Sequence, residues 1–193
     1  MYNEIEGNLI SLSLLGNFDV IAHGCNCQRI MGAGIALQMA KTFGCDKYKL
    51  EDKVYKGNID KLGRIDYHRV FINLEDKKIT YHEWHKGEKW VIFYENDYPV
   101  YEIKPGKEVY RKTYTDLHKL LVVNAYTQYQ PGPNLDYDAL TLCLRKINHA
   151  FKGMHIGLPQ IGAGIAAGDW NKIKTIIQQE LKDCDVTVVI YNK

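Results

Sequence analysis

Two identical five-residue segments carry the chemistry that can be read most directly from this chain. Gly-Ala-Gly-Ile-Ala occurs at residues 32–36 and again at 162–166, and each copy lies between a strand-like run and a helix-like run. Glycines let the backbone approach an anion closely, and the unpaired amide hydrogens at a helix start favour negative charge. One such loop is weak evidence, because glycine also ends strands and packs helices against sheets. The duplication indicates two loops of one site that holds a diphosphate.

A second set of polar and aromatic side chains follows the apolar run that starts at Leu117. They stand at the end of a predicted strand, where open α/β sheets bind ligands. Tyr126 or Gln128 could therefore cap a ribose or a phosphate. An aromatic residue there could as readily pack under the following Pro131-Gly132-Pro133 loop.

Histidines and cysteines give no metal signature. His82 and His85 flank Trp84, but this alternation fits a two-faced strand better than a metal or base-stacking patch. The five cysteines are odd in number and lack the paired spacing of a zinc site, so we expect reduced thiols. We expect no metal and no cofactor.

The elements that must position these residues alternate between strand and helix. Strand-like runs cover 2–6, 19–23, 117–126 and 186–191, and helix-like runs cover 35–43, 137–151 and 170–181, the last with Asp169 as its N-cap. Between 64 and 115 the pattern is instead a series of β-rich runs, which indicates an antiparallel insertion or a sheet edge. We predict an α/β fold, a three-layer α/β/α sandwich with a mixed central sheet, in which residues 1–193 form one domain and 64–115 a β-rich insertion.

Composition limits the partners. A chain of 193 residues suits one domain, and its 25 Lys plus Arg against 23 Asp plus Glu give a net charge of +2. This balance gives no strong nucleic-acid signal and no attraction to an anionic membrane, but it is compatible with a small phosphorylated ligand. No apolar stretch is long enough to span a bilayer, and residues 1–4 lack the features of a signal peptide. We expect a soluble cytoplasmic protein, in the host cytoplasm if the chain comes from a phage.

Four motifs occur in an order that resembles the macro domain family. They are Gly7-Asn8, Val20-Ile-Ala-His-Gly-Cys-Asn-Cys27, Met31-Gly-Ala-Gly-Ile-Ala36 and Leu158-Pro-Gln-Ile-Gly-Ala-Gly-Ile-Ala166. The resemblance covers the beginning and the end of the chain and leaves the middle unmatched. The His-x-Cys-Asn-Cys segment that starts at His23 is most similar to the branch of yeast and phage type that processes ADP-ribose 1″-phosphate.

This resemblance implies a phosphomonoesterase that binds ADP-ribose derivatives and hydrolyses ADP-ribose 1″-phosphate to ADP-ribose and phosphate. It makes His23 the catalytic candidate, just ahead of the first loop. An imidazole titrates near neutrality, so it can protonate a leaving oxygen or relay a proton to water. A histidine at the end of an apolar strand is also often a hydrogen-bonded structural residue.

The resemblance also implies where the ligand is bound. The first loop is expected around the diphosphate and distal ribose, the second loop is expected over the phosphates, and Asn26 is expected at the ribose. The full set of expected binding residues is Asn8, Asn26, Gly32, Ala33, Gly34, Ile35, Ala36, Tyr126, Gly162, Ala163, Gly164, Ile165, Ala166 and Tyr191.

Departures from the family pattern leave alternatives open. Asn8 stands where many macro domains have an aspartate, and Ala166 stands where the ester-hydrolase branch has an acid. The acid of the phosphatase branch is not placed by any motif, and the candidates are Asp116, Asp136, Asp138 and Asp169. The alternative is a non-catalytic module that binds ADP-ribose, free or attached to a macromolecule, which the segment 77–112 could contact. An ADP-ribosyl hydrolase is less favoured.

Overall fold

A computed structural model describes residues 1–47, 57–82, 91–95, 98–103, 110–111 and 117–191. The strands are β1 (Tyr2–Glu6), β2 (Val20–Asn26), β3 (Ile65–Asn73), β4 (Lys78–His82), β5 (Val91–Glu95), β6 (Tyr98–Ile103), β7 (Tyr110–Arg111), β8 (Leu117–Gln128), β9 (His155–Leu158) and β10 (Asp185–Ile190). The helices are α1 (Leu9–Leu14), α2 (Gly34–Phe43), α3 (Tyr137–Ala150) and α4 (Trp170–Glu180), with short 3-10 turns at Cys45–Lys47 and Ile59–Lys61.

Seven strands form the central sheet, in the order β1-β10-β9-β2-β8-β3-β4. The first five strands are parallel to one another. Strand β3 runs antiparallel to β8, and β4 runs antiparallel to β3. The parallel part places the carboxyl ends of β2, β8 and β9 at one edge, where the connections to α2 and α4 begin. The prediction of a mixed sheet is confirmed.

Helices cover both faces of this sheet, and the alternation along β2 shows how. Val20 and Ala22 belong to a buried core that includes α3 and α4. Ile21 and Cys25 belong to a second buried core that includes α1 and α2. Because successive side chains of a strand point to opposite faces, one apolar strand supplies both cores. The predicted three-layer α/β/α sandwich is confirmed.

The region from 64 to 115 is rich in antiparallel strands, as its β-rich runs predicted. Strands β3 and β4 form an antiparallel edge of the main sheet, while β5, β6 and β7 form a separate three-stranded sheet. That the region is an insertion stays a prediction. Trp84, His85 and Asp116 lie outside the described residues.

Several details differ from the sequence-based expectation. Helix α1 was not predicted, because six residues are too few to establish a helical period. Strand β3 begins at Ile65, although most side chains of its first half are polar. All five cysteines are free and buried. Within the described segments, no helix has the length and apolar character needed to cross a membrane.

Close packing at Gly157 in β9 gives a test of this arrangement. A methyl group at Gly157 would lie 2.8 Å from two ring atoms of Phe18, which is itself buried. We expect Gly157→Ala to lower the free energy of unfolding by about 1–3 kcal/mol, as overpacking of a core does. Denaturant unfolding measures the change. The control is Gly32→Ala, because nothing lies within 4 Å of a methyl group there. Equal stability of the two variants would contradict the packing of Phe18 on β9.

Candidate functional site

A cleft of about 290 Å³ opens at the carboxyl ends of β2, β8 and β9. Both glycine loops line it, so the structure brings together two segments that are far apart in the chain. The lining residues are Gly24, Asn26, Ile30, Gly32, Ala33, Gly34, Ile35, Ala36, Thr127, Gln128, Pro131, Gly132, Pro159, Gln160, Ile161, Gly162, Gly164, Ile165 and Ala166. Their side chains are apolar, amide or hydroxyl groups, and the backbone supplies the remaining polarity.

The start of α2 faces this cleft without a side-chain cap. Its N-cap residue is Ala33, whose methyl group accepts no hydrogen bond. By contrast, Asn8, Asp136 and Asp169 cap α1, α3 and α4 through their side-chain oxygens. The first N–H groups of any helix lack partners within the helix, and the helix dipole makes that end attractive to anions. The first turn of α2 is therefore available to an anionic ligand.

The second glycine loop is held tightly against the start of α3. Gly162 has a φ of +79°, and a methyl group there would lie 3.0 Å from both terminal carbons of Leu135. Gly168 N–H donates to the Gly162 carbonyl at 2.9 Å, and Ala167 N–H donates to the Gly164 carbonyl at 3.0 Å. These turns fix the backbone of the loop opposite the start of α2.

Asn26 lines the cleft and also shapes the loop that precedes the first glycine. Its Nδ2 donates to the Ile30 carbonyl at 2.8 Å, and its Oδ1 accepts from the Ile30 N–H at 3.1 Å. Both halves of the amide are therefore used to hold the 26–30 turn. The predicted contact of Asn26 with a ribose stays a prediction.

His23 does not line the cleft. Its side chain is wholly buried on the α1 and α2 face of the sheet, with Nε2 2.8 Å from Asn124 Oδ1. The Asn124 oxygen can only accept, so the His23 proton is on Nε2. Burial lowers the pKa of His23 to about 4, and the hydrogen bond with Asn124 opposes this only in part. The sequence-based assignment of His23 as the proton-transfer group disagrees with this position, because its neutral ring contacts the core.

The hydrogen bonds of His23 continue across two more strands. Asn124 Nδ2 donates to Asp66 Oδ1 at 2.7 Å and to the Cys45 carbonyl at 3.0 Å. Tyr126 donates from its hydroxyl to Asp66 Oδ2 at 2.6 Å. Burial raises the pKa of Asp66, although both hydrogen bonds favour its ionised form. We predicted Tyr126 at the cleft, but its ring is buried and its hydroxyl belongs to this network.

Three other predicted binding residues, Asn8, Ala163 and Tyr191, are not among those that line the cleft, and their contact with a ligand stays a prediction. Asn8 uses its side-chain oxygen to cap α1, and Tyr191 follows the end of β10 with 59% of its surface exposed. Ala163 packs partly against the core, although its neighbours in the second loop line the cleft. Of the candidate acids, Asp136 and Asp169 are helix caps.

Sequence reasoning missed several residues of the cleft. Gly24 and Thr127 line the cleft beside each other, and Gln160 lies just before the second loop. Gln128 was recognised only as an alternative to Tyr126. Their position in the sequence could have indicated them, because all four residues follow apolar runs that form strands β2, β8 and β9. Asp66, in the buried network, gave only the weak signal of an acid inside a strand-like run.

Comparisons with known proteins identify relatives and the fold. No family model matches the chain. An uncharacterised 17.5 kDa protein from the tk–vs intergenic region of Enterobacteria phage T4 is 30% identical over 191 residues, covering 96% of this chain and 93% of the relative. The macrodomain of Thermus aquaticus DarG superposes with a TM-score of 0.54 at 17% identity, covering 100% of this chain and 99% of that one. Thermosipho africanus DarTG in complex with ADP-ribose superposes with a TM-score of 0.57 at 15% identity, covering 98% of this chain and 41% of that one.

The buried His23 predicts a loss of stability in mild acid. Its pKa is about 4 when folded against 6.5 when unfolded, so the unfolded state binds more protons between these values. We expect the free energy of unfolding to fall by up to about 3 kcal/mol as the pH decreases from 6.5 to 4. Asp66 acts in the opposite direction above its ordinary pKa of 3.8, because folding raises its pKa and the folded state then binds the proton first, which offsets part of this loss.

Denaturant unfolding at a series of pH values measures this effect. His23→Gln keeps a side-chain N–H donor but does not titrate, so its stability should depend less on pH over the same interval. Parallel curves for the wild type and the variant would show that His23 is not the responsible group.

Proposed function

This chain belongs to the same family as the phage T4 protein and has the macro domain fold, and we propose that it binds ADP-ribose or a close derivative in the cleft. The observation that carries the proposal is the uncapped start of α2, which faces the second glycine loop across one cleft. The ADP-ribose complex of Thermosipho africanus DarTG, which shares the fold, supports the choice of ligand.

The diphosphate is the part of this ligand that the two loops suit best. The start of α2 and the second loop both line the cleft, and the helix dipole adds a favourable field. Backbone groups held by secondary structure need little reorganisation when the ligand binds. Burial of the phosphates between the loops therefore retains the electrostatic attraction that water would weaken.

The apolar part of the cleft suits the sugar rings and base. Ile30, Ile35 and Ile165 line the cleft near the loops, and Pro131 and Pro159 also line it. Apolar walls with a few fixed polar groups are the usual composition of a small-molecule site. The ligand is ADP-ribose, either free or attached to a macromolecule.

Substitution of Ala33 tests the role of the α2 start. Ala33→Asp supplies the missing cap, so we expect an increase of about 1 kcal/mol in the free energy of unfolding. The new carboxylate would compete for the same amides and repel the diphosphate, so the affinity for ADP-ribose should fall by at least about tenfold. Calorimetric titration and denaturant unfolding measure the two effects.

Ala33→Ser is the matched control, because it caps the helix without adding a charge. It should also stabilise the protein, with a smaller loss of affinity. Wild-type affinity in Ala33→Asp would contradict a diphosphate at this position. Absence of ADP-ribose binding by the wild type would refute the proposed function itself.

Hydrolysis of the terminal phosphate of ADP-ribose 1″-phosphate is the second candidate. The observation that favours it is the segment from His23 to Cys27, which resembles the phosphatase branch and leads directly into the cleft at Gly24 and Asn26. Hydrolysis needs a group that moves a proton to or from the reacting oxygens. With His23 packed into the core, that group would have to come from the cleft itself or from water.

Phosphate release from ADP-ribose 1″-phosphate, measured with excess chelator, separates the two candidates. Turnover favours the phosphatase, and ADP-ribose binding without turnover favours the binding module. If His23 takes part in the chemistry, His23→Gln should lose phosphate release and keep ADP-ribose affinity within about tenfold. Loss of both in a folded variant would make His23 a residue that positions the strand end.

A further inference from the structure

A second cavity lies beside the cleft, and charged side chains line it. It has a volume of about 430 Å³, and the residues of this α2 recess are Arg29, Met31, Leu37, Ala40, Lys41 and Asp46. Ala36 lines the cleft, whereas Ala40, one helical turn further along α2, lines the recess. Residues four apart in a helix have Cβ atoms about 5–6 Å from each other, so the two cavities are neighbours along α2.

Two cations and one carboxylate set the charge of the recess. Arg29 has a φ of +57°, which few side chains adopt, and its Nη2 donates to the Asp46 carbonyl at 3.3 Å. Lys41 lies in the last turn of α2, where the helix dipole favours a cation. It forms no ion pair with any residue in the described part of the chain. Two positive side chains and one negative side chain give the recess a net charge of +1.

A buried lysine near Arg29 adds to this positive potential. Lys61 is 2% exposed, and its Nζ, 5.6 Å from the centre of the Tyr126 ring, has no hydrogen-bond partner among the described residues. Burial lowers the pKa of Lys61 and the charge of Arg29 lowers it further, although the Asp66 carboxylate opposes this. Water screens a buried charge only weakly, so an anion beside Arg29 would offset the repulsion between the two cations. Lys61 acts through its charge alone, because its Nζ is not accessible.

A phosphate group suits the recess better than a carboxylate. A guanidinium presents its N–H donors in a planar fork, which two oxygens of an oxyanion can accept from together. A phosphomonoester has three acceptor oxygens and a charge of about −1.5 to −2 at pH 7, so it can bond Arg29 and Lys41 at the same time. A carboxylate has only two oxygens, and the fork of Arg29 would use both.

We propose that the α2 recess binds a phosphomonoester group through the Arg29 guanidinium and the Lys41 ammonium. It is a second anion site besides the start of α2, and it does not depend on the proposed function. The phosphate belongs either to a separate small molecule or to the ligand in the neighbouring cleft.

An NMR titration of the labelled protein with inorganic phosphate, in the presence of saturating ADP-ribose, tests the site. ADP-ribose occupies the cleft, so phosphate should shift the amide signals of residues 29–31 and 37–46 and leave those of 162–166 unchanged. Lys41→Gln should weaken phosphate binding by about two- to fivefold, the contribution of an exposed ion pair. Asp46→Asn removes a repelling carboxylate and should strengthen binding by a similar factor.

Lys182→Gln is the matched control, because Lys182 is exposed just before β10, at the opposite edge of the parallel sheet from the cleft. It removes the same charge and should bind phosphate as the wild type does. Equal phosphate affinities of Lys41→Gln and Lys182→Gln, or shifts confined to residues 162–166, would overturn the inference. If ADP-ribose does not bind at all, the proposed function fails, and the same variants still test the recess in the free protein.

Affinity for ADP-ribose 1″-phosphate, measured before any turnover, distinguishes the two sources of the phosphate. A loss in Lys41→Gln that ADP-ribose does not share would assign the phosphate to the ligand in the cleft. Equal affinities of Lys41→Gln and the wild type, together with weaker binding of inorganic phosphate, would assign it to a separate molecule.

Discussion

The parallel register of β2 against β8 is the constraint on which the rest of the site depends. His23 pairs with Asn124 and Cys25 pairs with Tyr126, and the ladder then shifts by one residue at Thr127. Because side chains alternate between faces, this pairing places a buried polar network on one side of the sheet and turns Gly24 and Thr127, which line the cleft, to the other. A slip of one residue would move the polar network into the apolar core on the other face of the sheet.

The polar groups of the buried network are hydrogen-bonded to one another, whereas some polar groups at the cleft have no protein partner in the described part of the chain. Asn124, Asp66 and Tyr126 satisfy one another and hold β3 against β8. At the cleft, the first turn of α2 has no side-chain cap and Thr127 has no partner among the described residues. Groups that are left unpaired lower the stability of the free protein and are satisfied only when a ligand arrives. The capped helices and the hydrogen-bonded network supply stability that compensates for these unpaired groups.

Local sequence patterns could predict the glycine loops and the fold, but not the direction in which each side chain points. The run from Val20 to Asn26 is apolar on both faces, so its period says nothing about whether His23 faces the cleft or the core. The partner that decides this, Asn124, is far away in the chain and is found only through the register. Tyr126 was placed at the cleft for the same reason. Asp66 belongs to no motif, and its role follows from its position opposite Asn124 across the β3–β8 pair.

The cleft and the buried network should also respond differently to pH. The cleft residues that the structure describes bind through backbone groups, amides and a hydroxyl, none of which titrates near neutrality. The group whose pKa moves most clearly into the acidic range is His23, in the core. Binding by the folded protein should therefore vary little between pH 5 and pH 8, the interval in which most proteins are most stable, because a diphosphate stays ionised there. A loss of ligand binding in acid would then follow the unfolding of the β2–β8 junction and not the titration of a group that contacts the ligand.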